Sequence, residues 1–331
     1  MTALTIEEQR SSDEKQPGVF LGGPQFTAAT RPSEIRQLFF ETDGLRPGWA
    51  FAAYVAMFYP LQLAFSWLAS FATFRPGHEL WAMPLAEFSV LLAAVVPACV
   101  MGRIERRPWR SFGLPGAGAF GKLFWIGSIW GFGGITLLLA TLYGLHRFDL
   151  GHVVLHGPRI IKFALFWALM FLLVSLFEEF MLRGYSQNSL ARAIGFWPAA
   201  VVLSSIFGFI HLSNGGESWA GIIAAAAIGF FFVLTLRRTG TLWFAVGFHA
   251  AWDWGETFFY SVPDSGEIFP GHLLASSVHG PKWLTGGSVG PEGSVLCFGV
   301  IALLWVGFSY AYPEVKWIAD GSDVPTLEHR S

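Results

Sequence analysis

The chain has 331 residues, 53% of them hydrophobic and only 13% charged, with a formal net charge of −2 and a mean hydropathy of +0.49. A soluble domain carries about 25% charge, and 21 Lys and Arg with 23 Asp and Glu are too few to coat a soluble chain of this length. An ordinary soluble globule is excluded, and no basic patch interleaved with aromatics speaks for nucleic acid.

In chain order, residues 1–48 form a polar tail that holds 12 of the charges and lacks the apolar stretch of a signal peptide. A bilayer core takes about 20 apolar residues in a helix. Eight such runs follow, at about 49–72, 80–101, 121–143, 160–189, 197–212, 219–236, 242–260 and 293–312, and a polar tail closes the chain at 313–331. The expectation is an all-α polytopic membrane protein, a bundle of about eight transmembrane helices over 49–312. Trp197-Pro198 places proline at the start of the fifth run, where its missing N–H costs nothing. Arg237-Arg238-Thr239-Gly240 reads as a tight basic turn. Gly127/Gly131 and Gly221/Ala225/Gly229 recur every fourth residue, the spacing that lets helices approach closely in lipid. Cys99 and Cys297 lie in apolar runs and read as small buried hydrophobes, with neither a disulfide framework nor a CxxC motif.

Positive charge sets the orientation. With the N-terminus inside, the inner segments hold 16 of the 21 Lys and Arg and the outer ones five. Both termini are therefore expected in the cytoplasm, and the short mixed-charge N-terminal tail suits a bacterial inner membrane.

Few charges remain inside the eight runs. Lys122 and Lys162 stand at helix ends and can snorkel to the interface. An ionisable group deeper in the membrane costs at least about 2.5–3.5 kcal/mol and needs a partner or a purpose. The fourth run carries Glu178-Glu179-Phe180-Met181-Leu182-Arg183, in which Glu179 and Arg183 share a face while Glu178 points about 100° away. The fifth carries Phe207-Gly208-Phe209-Ile210-His211. The seventh carries His249-Ala250-Ala251-Trp252-Asp253, with Glu256 further along the same stripe. At about 1.5 Å per residue these groups lie at a similar depth, Glu178 about 18 Å, His211 about 21 Å, His249 about 12 Å and Asp253 about 18 Å from the inner helix ends. Three helices thus carry acids, histidines and an arginine towards one level.

These three patterns, in this order on successive apolar segments, resemble the CPBP family of intramembrane glutamic endopeptidases, the CAAX-protease, Abi or Rce1-type group. Ser204-Ser205, the Arg238–Trp243 stretch and the basic segment Arg106–Leu114 fit the same pattern, and the resemblance covers about residues 100–260. Where many members end the third motif in Asn, this chain has Asp253. The resemblance implies hydrolysis of a peptide bond in a peptide or lipidated protein substrate, near the cytosolic side of the bilayer and without a cofactor. It implies Glu178 as general base, His211 helping to position or polarise the same water, and His249 donating to the oxyanion with Asp253 fixing its tautomer or orientation. Glu179 and Arg183 are the supporting ion pair.

Other readings stay open at this level. Glu178, His211 and His249 have the ligand types of a catalytic zinc, although no HExxH helix is present. A proton-coupled transporter would use the same intramembrane acids and histidines as a relay, but shows no repeat symmetry here. A catalytically silent relative could bind a membrane partner with the motifs intact. Glu87 and Glu256 read first as packing or substrate contacts, and His152 with His156 as a solvated loop face. The segment 261–292, with His272 and His279, is long enough to cap the bundle but has no assigned role.

Overall fold

The computed structural model describes residues 34–41, 44–73 and 79–317. Most of the N-terminal tail and residues 318–331 of the C-terminal tail lie outside the described residues. The described residues from Phe39 to Trp317 form one compact unit. In chain order, a short helix α1 (Glu34–Phe39) is followed by a two-stranded ladder of β1 (Phe40–Glu41) and β2 (Gly44–Leu45).

The apolar runs become helices. Among the described residues, six are long and apolar enough to cross a membrane: α2 (Pro47–Thr73), α3 (Glu79–Ile104), α4 (Lys122–Gly144), the broken helix of α5 (Pro158–Glu179) and α6 (Gln187–Ile194), α7 (Phe196–Ile210) and α8 (Trp219–Thr239). Two expected spans are shorter. The seventh run gives α9 (Trp243–Trp254), prolonged by a π-helical turn at Gly255–Tyr260. After the small helix α10 (Lys282–Thr285), the eighth run gives α11 (Val295–Ala311). The fold is an all-α membrane bundle, with strands confined to short loop pairings such as β3 (Phe148–Asp149) with β4 (Ser277–Val278).

Both faces of the bundle follow from the composition. Inside, α4, α8, α9 and α11 share one core containing Ile135, Phe231, Phe244, Phe248 and Phe308, all fully buried. A second core joins α2 and α3 to the Trp109–Phe112 turn through Tyr54, Ala94 and Phe112. Outside, large apolar side chains stay bare, Leu63 at 72% and Ile129 at 70% exposure among them. That skin is stable only in hydrocarbon.

The bundle has two polar ends. At one, Arg192 pairs with Glu105 at 2.8 Å, Tyr185 donates to Glu105 at 3.2 Å, and Ser189 donates to the Pro47 carbonyl at 3.1 Å. The chain also returns here after α11, where the Lys316 N–H donates to the Arg237 carbonyl at 3.0 Å. At the other, the loops after α4, α7 and α9 meet: β3 pairs with β4, Val153 bridges Leu274, and Asn214 donates to the Ser265 carbonyl at 2.9 Å. The segment 261–292 is thus tied to the loops after α4 and α7.

The fourth span is broken just beyond its acidic pair. α5 passes through a π-helical turn at Phe180–Ser186, and Gly184 leaves helical geometry at ψ −107° before α6 resumes. A Cβ on Gly184 would press on the Phe180 ring and the Phe112 carbonyl, so the wide turn is packed as well as unwound. π turns recur at functional sites because the extra residue re-aims side chains. Here one follows the Glu178-Glu179 pair directly, and another follows Asp253 by two residues.

Candidate active site

Helix α5 delivers Glu178 and Glu179 to the interior in adjacent directions. Glu179 is fully buried and Glu178 is 22% exposed. Arg183, on the π turn, is buried with Glu179 and donates Nη1 to its Oε1 at 3.1 Å. Among the described residues, the Nε and Nη2 of Arg183 have no hydrogen-bond partner. Two aromatic faces stand in: the guanidinium lies 4.4 Å from the Phe207 ring centre and 5.8 Å from that of Phe232, where a cation is attracted to the ring quadrupole. The slot exists because residue 229 is glycine, since a Cβ there would overlap Arg183 Nη2 and the Phe207 ring.

Helix α9 brings His249 against the same pair. Its Nδ1 lies 3.1 Å from Glu179 Oε1. Its Nε2 lies 3.6 Å from Glu178 Oε2 and 3.4 Å from Asp253 Oδ2. The ring stacks on Phe232 at 5.6 Å and meets the edge of Phe207 at 6.3 Å. Three carboxylates therefore surround one imidazole, with an acceptor at each ring nitrogen.

The acceptors divide between the two ring nitrogens. Asp253 does not hold Nδ1; Glu179 does, and Asp253 sits beside Nε2 with Glu178. Helical i, i+4 spacing places Asp253 along α9, but Nδ1 faces α5 across the helix pair. Glu179 therefore bridges Arg183 and His249, a second partner that local spacing along one helix cannot reveal.

His211 sits one residue beyond the end of α7, on a 3-10 turn of His211–Ser213, because Asn214-Gly215-Gly216 stops the helix. Its Nδ1 lies 2.8 Å from the Phe207 carbonyl. A carbonyl only accepts, so Nδ1 carries the hydrogen and Nε2 is left for another partner. The ring also packs edge-on against Phe207, 4.8 Å between centres.

Glu178, His211, His249 and Asp253 all line one cavity of about 400 Å³, a volume typical of small-molecule pockets. Its remaining wall is largely apolar, with Met83, Trp167, Met170, Phe171 and Val174. Sequence spacing missed several polar contributors that reach the cavity from loops, Asn214, Asp264, Ser265, Glu267 and Glu292, while Glu87 reaches it from α3. Glu87 and Glu256 were visible as charges inside apolar runs. Loop acids carry no such signal, because loops are expected to be polar. His152 and His156 are exposed, in line with a solvated loop face.

Metal-ligating side chains gather at one place among the described residues, Glu256, Asp264 and Glu292, whose oxygens lie within 4.8 Å of one another. Glu178, His211 and His249 are not drawn together that tightly in this conformation.

The segment holding all three motifs has a match among known families. Residues 160–255 match the family described as type II CAAX prenyl endopeptidase Rce1-like, so the chain carries an Rce1-like domain there. At the level of that family it is a protease, a hydrolase of the CAAX-protease type that works in a lipid bilayer on a protein substrate. No curated protein and no solved structure is significantly similar to the chain.

Proposed function

We propose that the protein is a glutamic-type intramembrane endopeptidase in which Glu178 and His211 activate water. Support comes above all from the position of Glu178. It is the accessible acid of the pair, it lies 3.6 Å from His249 Nε2, and it shares one cavity with His211. Glu178 takes a proton as the water oxygen bonds to the scissile carbonyl carbon. His211, its Nδ1 occupied by the Phe207 carbonyl, turns Nε2 to the same water. His249 stabilises the oxyanion from Nε2, held in orientation by Glu179, with Asp253 beside it. The proton on Glu178 then passes to the leaving nitrogen as the carbon–nitrogen bond breaks. Arg183 supplies the charge that lets Glu179 stay ionised inside the bundle.

The place of the cavity in the bundle bears on which membrane face meets the substrate. Loop residues Asn214, Ser265 and Glu267 line the cavity, so it lies towards the end opposite the two described chain ends. Cytoplasmic termini and cleavage near the cytosolic face therefore do not go together. Our reading keeps the site with the loop end, whichever side of the bacterial inner membrane that end faces.

The test is cleavage of a peptide library, with and without prenylated C-termini, by protein in nanodiscs. Wild type is expected to cut, while Glu178→Gln and His211→Ala do not, and phenanthroline leaves the rate unchanged. Cleavage by both variants would sink the mechanism. Loss with phenanthroline alone would move the case to a zinc held by Glu178, His211 and His249. Absence of cleavage with substitution-sensitive proton flux in liposomes would favour a transporter, and absence of both a silent partner-binding relative.

A further inference from the structure

We propose that Glu256, Asp264 and Glu292 form a binding site for a hard divalent cation, preferring Ca2+ over Mg2+, that fastens the loop after α9 to the helix bearing His249 and Asp253. The inference stands apart from the protease reading.

The three acids come from separate places: the π turn after α9, the loop 261–292, and the Pro291–Gly293 turn ahead of α11. Each offers an oxygen within 4.8 Å of the others. Asp264 Oδ2 accepts from Thr257 Oγ1 at 3.0 Å. Glu292 Oε1 accepts from Trp252 Nε1 at 3.1 Å, and its Oε2 from the Ser265 N–H at 3.1 Å and the Ser265 hydroxyl at 2.6 Å.

Glu256 is different. It is fully buried, and among the described residues neither of its carboxyl oxygens has a hydrogen-bond partner. Among the described residues, no Lys, Arg or His forms an ion pair with any of the three. A buried acid with two unmet oxygens, aimed at two further carboxylates, lacks positive charge that the protein does not supply.

The donor set names the class of ion. All the offered ligands are carboxylate oxygens, which suit hard cations rather than zinc or copper. Ca2+ binds oxygens at about 2.3–2.6 Å, so ligands across the ion lie about 4.6–5.2 Å apart, whereas Mg2+ at about 2.0–2.1 Å needs them within about 4.2 Å. Oxygens within 4.8 Å of one another fall inside the span that Ca2+ accepts. Asp264 and Glu292 also line the 400 Å³ cavity, which gives an entry path and room for water to complete the coordination.

The experiment uses the full chain in nanodiscs, freed of metal with EGTA and titrated with CaCl2 or MgCl2 by calorimetry and thermal melting. Wild type is expected to bind about one Ca2+ per chain, with a rise in Tm and at least tenfold weaker binding of Mg2+. Glu256→Gln and Glu292→Gln are expected to weaken Ca2+ at least tenfold and to lose the Tm rise. Asp149→Asn, at an exposed carboxylate, should bind as wild type. Should either variant fail to fold, Tb3+ luminescence of wild type excited through tryptophan, and its quenching by Ca2+, reads the site next to Trp252 directly. No saturable binding by wild type up to about 10 mM Ca2+, beyond the range of weak extracellular sites, would overturn the proposal and leave carboxyls that share protons. Undiminished binding by both variants would overturn it too, and equal affinity for Mg2+ would overturn the stated preference.

Discussion

Two groups of acids stand along α9 and are balanced differently. Around His249, the carboxylates of Glu178, Glu179 and Asp253 meet an imidazole and the guanidinium of Arg183 within 3.6 Å. Beyond Asp253, Glu256 meets Asp264 and Glu292, and among the described residues no basic side chain pairs with them. In the first group the protein supplies two partners from its own helices, the Arg183 guanidinium and the His249 imidazole, for three carboxylates. The second group depends on something from solution, a cation or protons, and so couples the cap to its surroundings. Burial alone does not tell a partnered acid cluster from an unpartnered one; the accounting of partners does.

That contrast can be broken experimentally. The largest expected effect is Glu178→Gln, which removes the base while keeping the shape; peptide cleavage should fall about 10²–10⁴-fold with an unchanged melting curve. Arg183→Met should cost about 3–5 kcal/mol in stability, because it takes the guanidinium from buried Glu179 and leaves that carboxylate only its His249 contact. The double variant Arg183→Met/Glu179→Gln should recover most of that loss when unfolding is followed by circular dichroism. If the double variant is no better than the single, Glu179 is not balanced by Arg183. The second cluster should answer with the opposite sign: in EGTA, Glu256→Gln should stabilise the fold by about 1 kcal/mol, measured by thermal melting, by removing a carboxyl with unmet oxygens. Smallest is Phe207→Leu, which keeps an apolar side chain but takes the ring from beneath Arg183. It should cost about 0.5–2 kcal/mol, seen as a lowered Tm without loss of Ca2+ binding.

Much of the first cluster was legible because charge is conspicuous in an apolar run. Glu178, Glu179 and Arg183 stand out from the sequence around Phe177, as His249 and Asp253 do around Trp252, and the structure brings these five together. The Arg183–Glu179 pair follows from helical periodicity alone. The Glu179–His249 contact does not, because it joins residues 70 apart, and periodicity says nothing about which face meets which neighbour. The second cluster was hidden for another reason. Glu256 was visible as an oddity, but Asp264 and Glu292 lie among Gly, Pro and Ser, where acids are ordinary. The six long spans were read directly from hydropathy. The breaks at Gly184 and after Trp254 were not, since a π turn leaves the apolar pattern nearly intact.

The glycines of α4 reach further than close packing. A Cβ on Gly127 would overlap the Phe244 carbonyl, one on Gly131 the Phe248 carbonyl, and one on Gly247 the Phe124 carbonyl. The two backbones therefore interlock at three points, the last of them close to His249 in the chain. A helix caught this way can neither roll nor slide without lifting off its neighbour, so α4 and α9 move as a single beam. The helix that carries His249 is thereby keyed to α4 through its backbone, and a larger residue at any of the three positions would prise the two apart.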